Sequence, residues 1–85
     1  MKEIVKSAIQ LKEAQLFLDE CIRTHELVTL VTLKQNGEIR RYEGWRVISS
    51  YWRRGTHDVM NPKSGQKRKI TDVLIFEINR HPVYI

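Results

Sequence analysis

A glycine inside a long run of strand-forming residues is the feature that most constrains the fold. Gly44 lies in the middle of "EIRRYEGWRVISSYW", residues 38–52. Side chains alternate between the two faces of a strand, so Trp45 and Val47 lie on the opposite face from Tyr42 unless an extra residue intervenes. A bulge at Gly44 restores one continuous apolar face, and bulges of this kind curve long strands in small barrels. The pattern predicts a strongly bent sheet.

One helix is predicted before the strands. Apolar residues recur at three- and four-residue intervals from Ile4 to Ile22, which indicates a helix over about residues 7–25. Ser7 and Gln10 have the spacing of a capping box that would begin this helix.

The rest of the chain is predicted to be five short strands. Residues 27–34, "LVTLVTLK", are rich in β-branched residues and apolar on both faces, and residues 35–37, "QNG", predict a tight hairpin to the long strand. A second hairpin has its polar tip at residues 61–65, "NPKSG". Residues 74–78 form the last strand, and residues 80–85 are expected to be a short C-terminal tail.

A chain of 85 residues supports one hydrophobic core, so residues 1–85 are expected to form a single domain. The predicted fold class is mostly β with one N-terminal α-helix: a five-stranded, strongly bent, Sm-like or SH3-like small barrel over about residues 27–79, capped by the helix. The apolar face of the helix has two interpretations. It covers the open end of the barrel, or it pairs with a second copy in a homodimer.

Positive charge is concentrated in the second half of the chain. Residues 1–38 have a net charge of −1 and residues 39–85 a net charge of +6. One stretch of thirty residues contains nine cationic residues and only two acidic ones, Glu43 and Asp58. The nine are Arg40, Arg41, Arg46, Arg53, Arg54, Lys63, Lys67, Arg68 and Lys69. Such a stretch is typical of a surface that binds a polyanion, although it is also compatible with a solvated face.

Aromatic residues interleave with these cations. Tyr51 and Trp52 are predicted to stack on bases, while Trp45 is expected in the core. The predicted binding residues are Arg40, Arg41, Arg46, Tyr51, Trp52, Arg53, Arg54, Lys67, Arg68 and Lys69. Nucleic acid, DNA or RNA, is the first expected partner, and an acidic protein surface is the alternative because arginine and tryptophan are also enriched at protein interfaces.

No catalytic, cofactor or metal site is expected. His57 and Asp58 are adjacent, but neighbours in a strand point to opposite faces and would not cooperate. His25, His57 and His81 lack ligand spacing with one another and with Cys21. Cys21 lies on the apolar side of the helix and is expected to be buried.

The single cysteine excludes an intrachain disulfide and favours a reducing, cytoplasmic setting. No apolar run approaches the 18 residues of a membrane-spanning helix, and no signal-peptide pattern is present, so no membrane association is expected.

The order of these elements resembles the Sm-like group of small barrels. Residues 31–49, "VTLKQNGEIRRYEGWRVIS", are similar to the first Sm motif, and residues 59–61, "VMN", resemble its end. The closing residues 68–78, "RKITDVLIFEI", are more similar to YolD-like proteins and Rho-binding antiterminators, which also place a helix before the barrel. The resemblance covers about residues 10–80. It implies a bacterial or phage regulatory protein that binds nucleic acid or protein without catalytic activity.

Overall fold

The computed structural model describes residues 8–34 and 36–84, which form one α-helix, seven strands and one 3-10 helix. In chain order these elements are β1 (Ile9–Gln10), α1 (Leu11–Thr24), β2 (Leu27–Leu33), β3 (Ile39–Tyr51), β4 (Thr56–Met60), β5 (Lys67–Thr71), the 3-10 helix (Asp72–Leu74), β6 (Ile75–Ile78) and β7 (His81–Tyr84). The predicted mostly-β class with one helix is confirmed.

The strands form one open sheet in the order β1-β7-β6-β2-β3-β4-β5, with β1 and β5 at its edges. The prediction of a closed five-stranded barrel is therefore wrong in both strand number and closure. The five predicted strands correspond to β2 to β6, of which β2 to β5 pair in chain order and β6 pairs with β2. The other two extend the sheet beyond β6, because β7 pairs antiparallel with β6 and parallel with β1.

The predicted C-terminal tail is part of this extension. Asn79 and Arg80 both have positive φ, 48° and 72°, and form a two-residue turn that reverses the chain. Residues 81–84 then pair with β6, so that Pro82 lies opposite Glu77. A proline cannot donate a hydrogen bond to a neighbouring strand. It is tolerated because β1, in the described part of the chain, pairs only beyond it, at Val83 and Tyr84.

The bulge predicted at Gly44 is confirmed. Val28 pairs with Trp45 and Leu30 pairs with Tyr42, so three steps along β3 match two steps along β2. Gly44 takes up the extra residue with φ of +65°. The bulge allows β3 to pair with β2 through its first half and with β4 through its second half.

The helix packs on the face of the sheet toward which Tyr42 and Val47 point. Ala14, Leu18 and Cys21 of α1 are buried there, which confirms the expected burial of the cysteine. Burial raises the pKa of the Cys21 thiol to about 11, with a further contribution from Glu26 and Glu20, so the thiol stays protonated at neutral pH.

The ends of α1 differ from the expectation. The helix begins at Leu11 after Gln10, whose side chain makes no capping hydrogen bond, and Ser7 lies outside the described residues. His25 ends the helix through its backbone, which adopts a left-handed conformation and donates to the Cys21 carbonyl at 2.9 Å. None of the described helical residues belongs to a segment with the length and hydropathy that crossing a bilayer requires.

A buried histidine fastens the helix to the sheet. The Nδ1 atom of His57, on β4, lies 2.7 Å from the Asp72 carboxylate, and its Nε2 atom lies 2.8 Å from the Asp19 carboxylate on α1. Asp72 is fully buried and also accepts a hydrogen bond of 2.8 Å from Gln15 of α1. An imidazolium donates from both ring nitrogens, so the protonated form of His57 can satisfy two ionised carboxylates at once.

The pKa of His57 reflects this arrangement. Burial alone would lower it, but the hydrogen bonds to Asp72 and Asp19, together with their negative charges, outweigh burial and raise the pKa above its ordinary value. The adjacent Asp58 points to the opposite face, as predicted for neighbours in a strand, and pairs with Lys69 instead.

Replacing Gly44 tests the bulge. Because a Cβ at Gly44 would meet no heavy atom within 4 Å, the cost of Gly44→Ala is conformational. We expect a loss of about 1–2 kcal/mol in the free energy of unfolding, measured by urea denaturation. Gly44→Asn is the matched control, since asparagine tolerates the left-handed conformation better and should cost less. Equal stability of the alanine variant and the parent would contradict this account.

The histidine network predicts a pH dependence of stability. A raised pKa in the folded state means that the stabilising contribution is fully present below the unfolded value of about 6.5 and is lost as pH rises through the folded pKa. The urea midpoint should therefore fall as pH rises above about 6.5, and His57→Gln should remove this part of the dependence. His25→Asn is the control: His25 is exposed and its backbone makes the hydrogen bond that ends the helix, so this variant should retain the pH dependence.

Candidate functional site

The outer face of the sheet, which we define as the face of β3, β4 and β5 turned away from α1, gathers several of the predicted binding residues. Arg46 lies opposite Met60, which in turn lies opposite Lys67. Tyr51 and Lys69 share this face, because they are in register with Thr56 and Asp58 of β4. The register across three strands thus brings together side chains that are up to 23 positions apart in the chain.

Lys69 is already engaged on the outer face. Its Nζ atom lies 3.1 Å from the Asp58 carboxylate and 4.4 Å from the centre of the Tyr51 ring. Slight burial opposes ionisation of Asp58, but hydrogen bonds from Lys69 and from the Ser49 hydroxyl lower its pKa below the usual value. The charges of Lys69 and Asp58 compensate each other, so the pair adds little net positive potential to the outer face. The contact of Lys69 with the ring also helps to position Tyr51.

The turn between β3 and β4 exposes the most accessible aromatic ring. Trp52 is 77% exposed, and the guanidinium carbon of Arg53 lies 5.3 Å from the centre of its ring. Backbone hydrogen bonds from Arg54 to Tyr51 and from Gly55 to Trp52, at 3.0 and 3.2 Å, hold the turn closed. The ring is therefore presented to solvent on a fixed backbone with a cation against it.

Residues 50–54 also line a shallow cavity of about 270 Å³. Arg53 and Arg54 are exposed at its edge and have no ion pair with any residue that the structure describes. Arg46 and Lys67, on the outer face, also have no ion pair with any described residue. We call Arg46, Trp52, Arg53, Arg54 and Lys67, with Tyr51 beside them, the turn site.

Four of the predicted cations lie outside the turn site, and one of them is Lys69, which pairs with Asp58. Arg41 is on the outer face of β3 but is 3.8 Å from Glu43. Arg40 and Arg68 point to the other face, since Arg40 is in register with Thr32 and Arg68 with Val59. The structure therefore divides the predicted basic residues between two surfaces.

Arg40 and Arg68 line a larger cavity, of about 650 Å³, between the β2–β3 hairpin and β5. We call it the hairpin cavity. Its lining includes residues that the sequence analysis did not select, among them Thr32, Lys34 and Tyr42. Thr32 and Lys34 could have been predicted from the hairpin, because a tight turn at residues 35–37 places them on the same face as Arg40.

Trp45 packs against the core, as predicted. It is partly buried, and its ring meets the Tyr42 ring edge to face, with centres 4.9 Å apart and planes at 83°. Trp45 and Trp52 are therefore separated in role: one ring is packed, and the other is presented to solvent.

No group of three His, Cys, Asp or Glu side chains in the described ranges 8–34 and 36–84 could hold a metal ion. His57 illustrates why, since its two carboxylate partners contact opposite nitrogens of the ring and do not converge on one point.

Comparison with known proteins gave no relative: no family model matches the chain, and neither a curated protein nor a solved structure does.

The two tryptophans should respond differently to truncation. Trp45→Ala removes a ring packed on the core and should lower the free energy of unfolding by about 3 kcal/mol. Trp52→Ala removes an exposed ring and should change it by no more than about 0.5 kcal/mol. Urea denaturation followed by circular dichroism measures both without depending on tryptophan fluorescence. A large loss of stability in Trp52→Ala would show that its ring is part of the core.

Proposed function

We propose that this protein is a non-enzymatic regulatory or accessory module of a bacterial or phage cytoplasm, which binds nucleic acid through the turn site. The observation that carries the proposal is the 77% exposure of Trp52, beside cations that no described residue neutralises. An aromatic surface flanked by free cations matches the two chemical features of a nucleic-acid strand, flat bases and charged phosphates.

Stacking supplies the first part of the affinity. A base stacked on an exposed aromatic side chain contributes about 1–3 kcal/mol where such stacking occurs. Trp52 contributes little packing to the fold, so its ring is free to make this contact. Arg53, held against one side of the ring, narrows the orientations that the ring can adopt before a base arrives.

Phosphate contacts supply the second part. Arg53 and Arg54 flank the ring, while Arg46 and Lys67 continue the positive charge along the outer face. Each cation that neutralises a phosphate releases counterions, so the affinity should decrease as salt increases. Lys69 contributes less, because Asp58 already compensates its charge.

The Sm-like resemblance is part of the same proposal. It is supported by the helix that precedes the five strands β2 to β6 and by the glycine bulge in the long strand β3. The likeness concerns the order and curvature of the strands and requires no closed barrel. A module of this kind would regulate a larger machine by binding, as the YolD-like proteins and Rho-binding antiterminators suggest.

An acidic protein is the second candidate partner, and one observation favours it. Leu33 and Ile39 lie directly opposite each other at the end of the β2–β3 hairpin and are 39% and 67% exposed. Arg41 is two residues along β3 on the same face, so apolar and cationic contacts adjoin there. A protein surface with a carboxylate beside an apolar patch would match this pair better than a nucleic acid would.

Binding to a fluorescently labelled single-stranded oligonucleotide tests the first proposal. At low salt we expect saturable binding by anisotropy, weakened about tenfold by Trp52→Ala. Arg53→Gln should also weaken binding and reduce the slope of log affinity against log salt by about 0.7, the loss of one phosphate contact. Lys12→Gln, which removes an exposed charge from α1, is the control and should leave the slope unchanged.

Absence of saturable binding to both DNA and RNA oligonucleotides at low salt would exclude the proposal. A pull-down with and without nuclease then separates the partners. Recovery of one stoichiometric protein after nuclease treatment, lost on Arg41→Gln with Ile39→Ser, would favour the acidic protein.

A further inference from the structure

The hairpin cavity is a concave site that shares no lining residue with the turn site. It opens between the end of β2, the start of β3, the strand β5 and the 3-10 helix, and has a volume of about 650 Å³. A volume of this size is within the range of small-molecule sites. The two sites can therefore bind separate ligands.

The charged residues that line the cavity are all cationic. Lys34, Arg40, Arg68 and Lys69 line it, and no Asp or Glu is among its described lining residues. Two of these cations have carboxylate partners outside the cavity: Lys34 lies 3.5 Å from Glu38, and Lys69 lies 3.1 Å from Asp58.

Neither Arg40 nor Arg68 has a carboxylate within 4.0 Å among the residues that the structure describes, although the charge of Arg40 helps to lower the pKa of Glu38, mainly set by Asn36 and Lys34. Both are half-buried, and they approach the cavity from different strands, β3 and β5. An anion held in this space would interact favourably with both guanidinium groups, since a nearby opposite charge stabilises each cation.

Both arginines are partly fixed before any ligand binds. The Arg40 guanidinium carbon lies 5.9 Å from the centre of the buried Tyr42 ring. One Nη atom of Arg68 donates to the Lys67 carbonyl at 2.8 Å, which leaves its other N–H groups for a ligand. Partial fixation reduces the entropy lost on binding.

The remaining walls indicate more than a simple ion. Thr32 provides a hydroxyl group, while Ile70 and Leu74 provide apolar surface beside the Tyr42 ring. An inorganic anion would use only the charged end of this cavity. A molecule with an anionic group and a flat or apolar body would use both.

We propose that the hairpin cavity binds a phosphate monoester attached to a nucleoside, with the phosphate between Arg40 and Arg68 and the nucleoside against the apolar wall. Arginine is suited to this contact because its planar fork donates two hydrogen bonds to phosphate oxygens. The same chemistry has two sources, a free mononucleotide and the phosphorylated end of a strand. This site does not depend on the turn site, since the two have no residue in common.

Isothermal titration of the full chain with adenosine 5′-monophosphate and with uridine 5′-monophosphate tests the proposal, with backbone amide shifts from NMR locating the site. We expect saturable binding with shifts in β5 and the β2–β3 hairpin, at least tenfold tighter than binding of adenosine or of inorganic phosphate. Arg40→Gln and Arg68→Gln should each weaken mononucleotide binding at least tenfold.

Arg41→Gln is the matched control. It removes the same charge from the next position of β3 but on the outer face, and should change the affinity less than twofold. If Arg40→Gln does not fold, Arg68→Gln and Arg40→Lys provide the same comparison. Equal weakening by Arg41→Gln, or no saturable binding of either mononucleotide at millimolar concentration, would overturn the proposal.

The source of the phosphate is decided by competition. A 5′-phosphorylated oligonucleotide that displaces the mononucleotide more strongly than its 5′-hydroxyl form identifies a strand end, whereas equal weak displacement identifies the free nucleotide. Trp52→Ala separates the two proposals of function: it should weaken binding of an internal strand segment and leave mononucleotide affinity unchanged.

Discussion

The extra residue at Gly44 is the constraint on which the rest of the structure depends. It lets one strand of 13 residues pair with β2 before the bulge and with β4 after it, while Tyr42 and Val47 both remain on the buried face. Without it, one half of β3 would turn its apolar residues to solvent. The same bulge determines on which face each arginine of β3 lies: Arg41 and Arg46 are on the outer face, and Arg40 is on the inner face.

Stability and the proposed binding depend on different groups. The helix is held to the sheet by the buried His57, whose ring lies between the buried Asp72 and the partly exposed Asp19 of α1. The turn site uses exposed groups that the fold leaves unpaired. This separation permits variants such as Trp52→Ala and Arg53→Gln to report on binding without a large change in stability.

Pairing within the chain also sorts the cations by what they can do. Lys69, Arg41 and Lys34 are near carboxylates, which reduce the charge that each can offer to a partner. The arginines at the turn and in the hairpin cavity have no partner within the described residues. The arginines at the turn lie beside an exposed aromatic ring, which would suit a strand, whereas Arg40 and Arg68 line a concave space, which would suit one small ligand.

Local patterns in the sequence determined the helix, both predicted hairpins, the bulge at Gly44 and the burial of Cys21, because each depends on residues close together in the chain. They also selected the exposed Trp52 and its cationic neighbours. The closed five-stranded barrel was wrong, because β7 adds to the sheet beside β6 and then pairs with β1, which is far away in the sequence.

Only the tertiary structure brought Asp72 and Asp19 to His57, divided Arg40 and Arg68 from the outer face, and formed the hairpin cavity. These contacts join residues 15 to 57 positions apart, and no local pattern encodes them. The sequence alone determines which side chains are present and how they alternate between the two faces of each strand. Which of them meet is decided by the register of the strands and the packing of the helix, because both depend on the whole core at once.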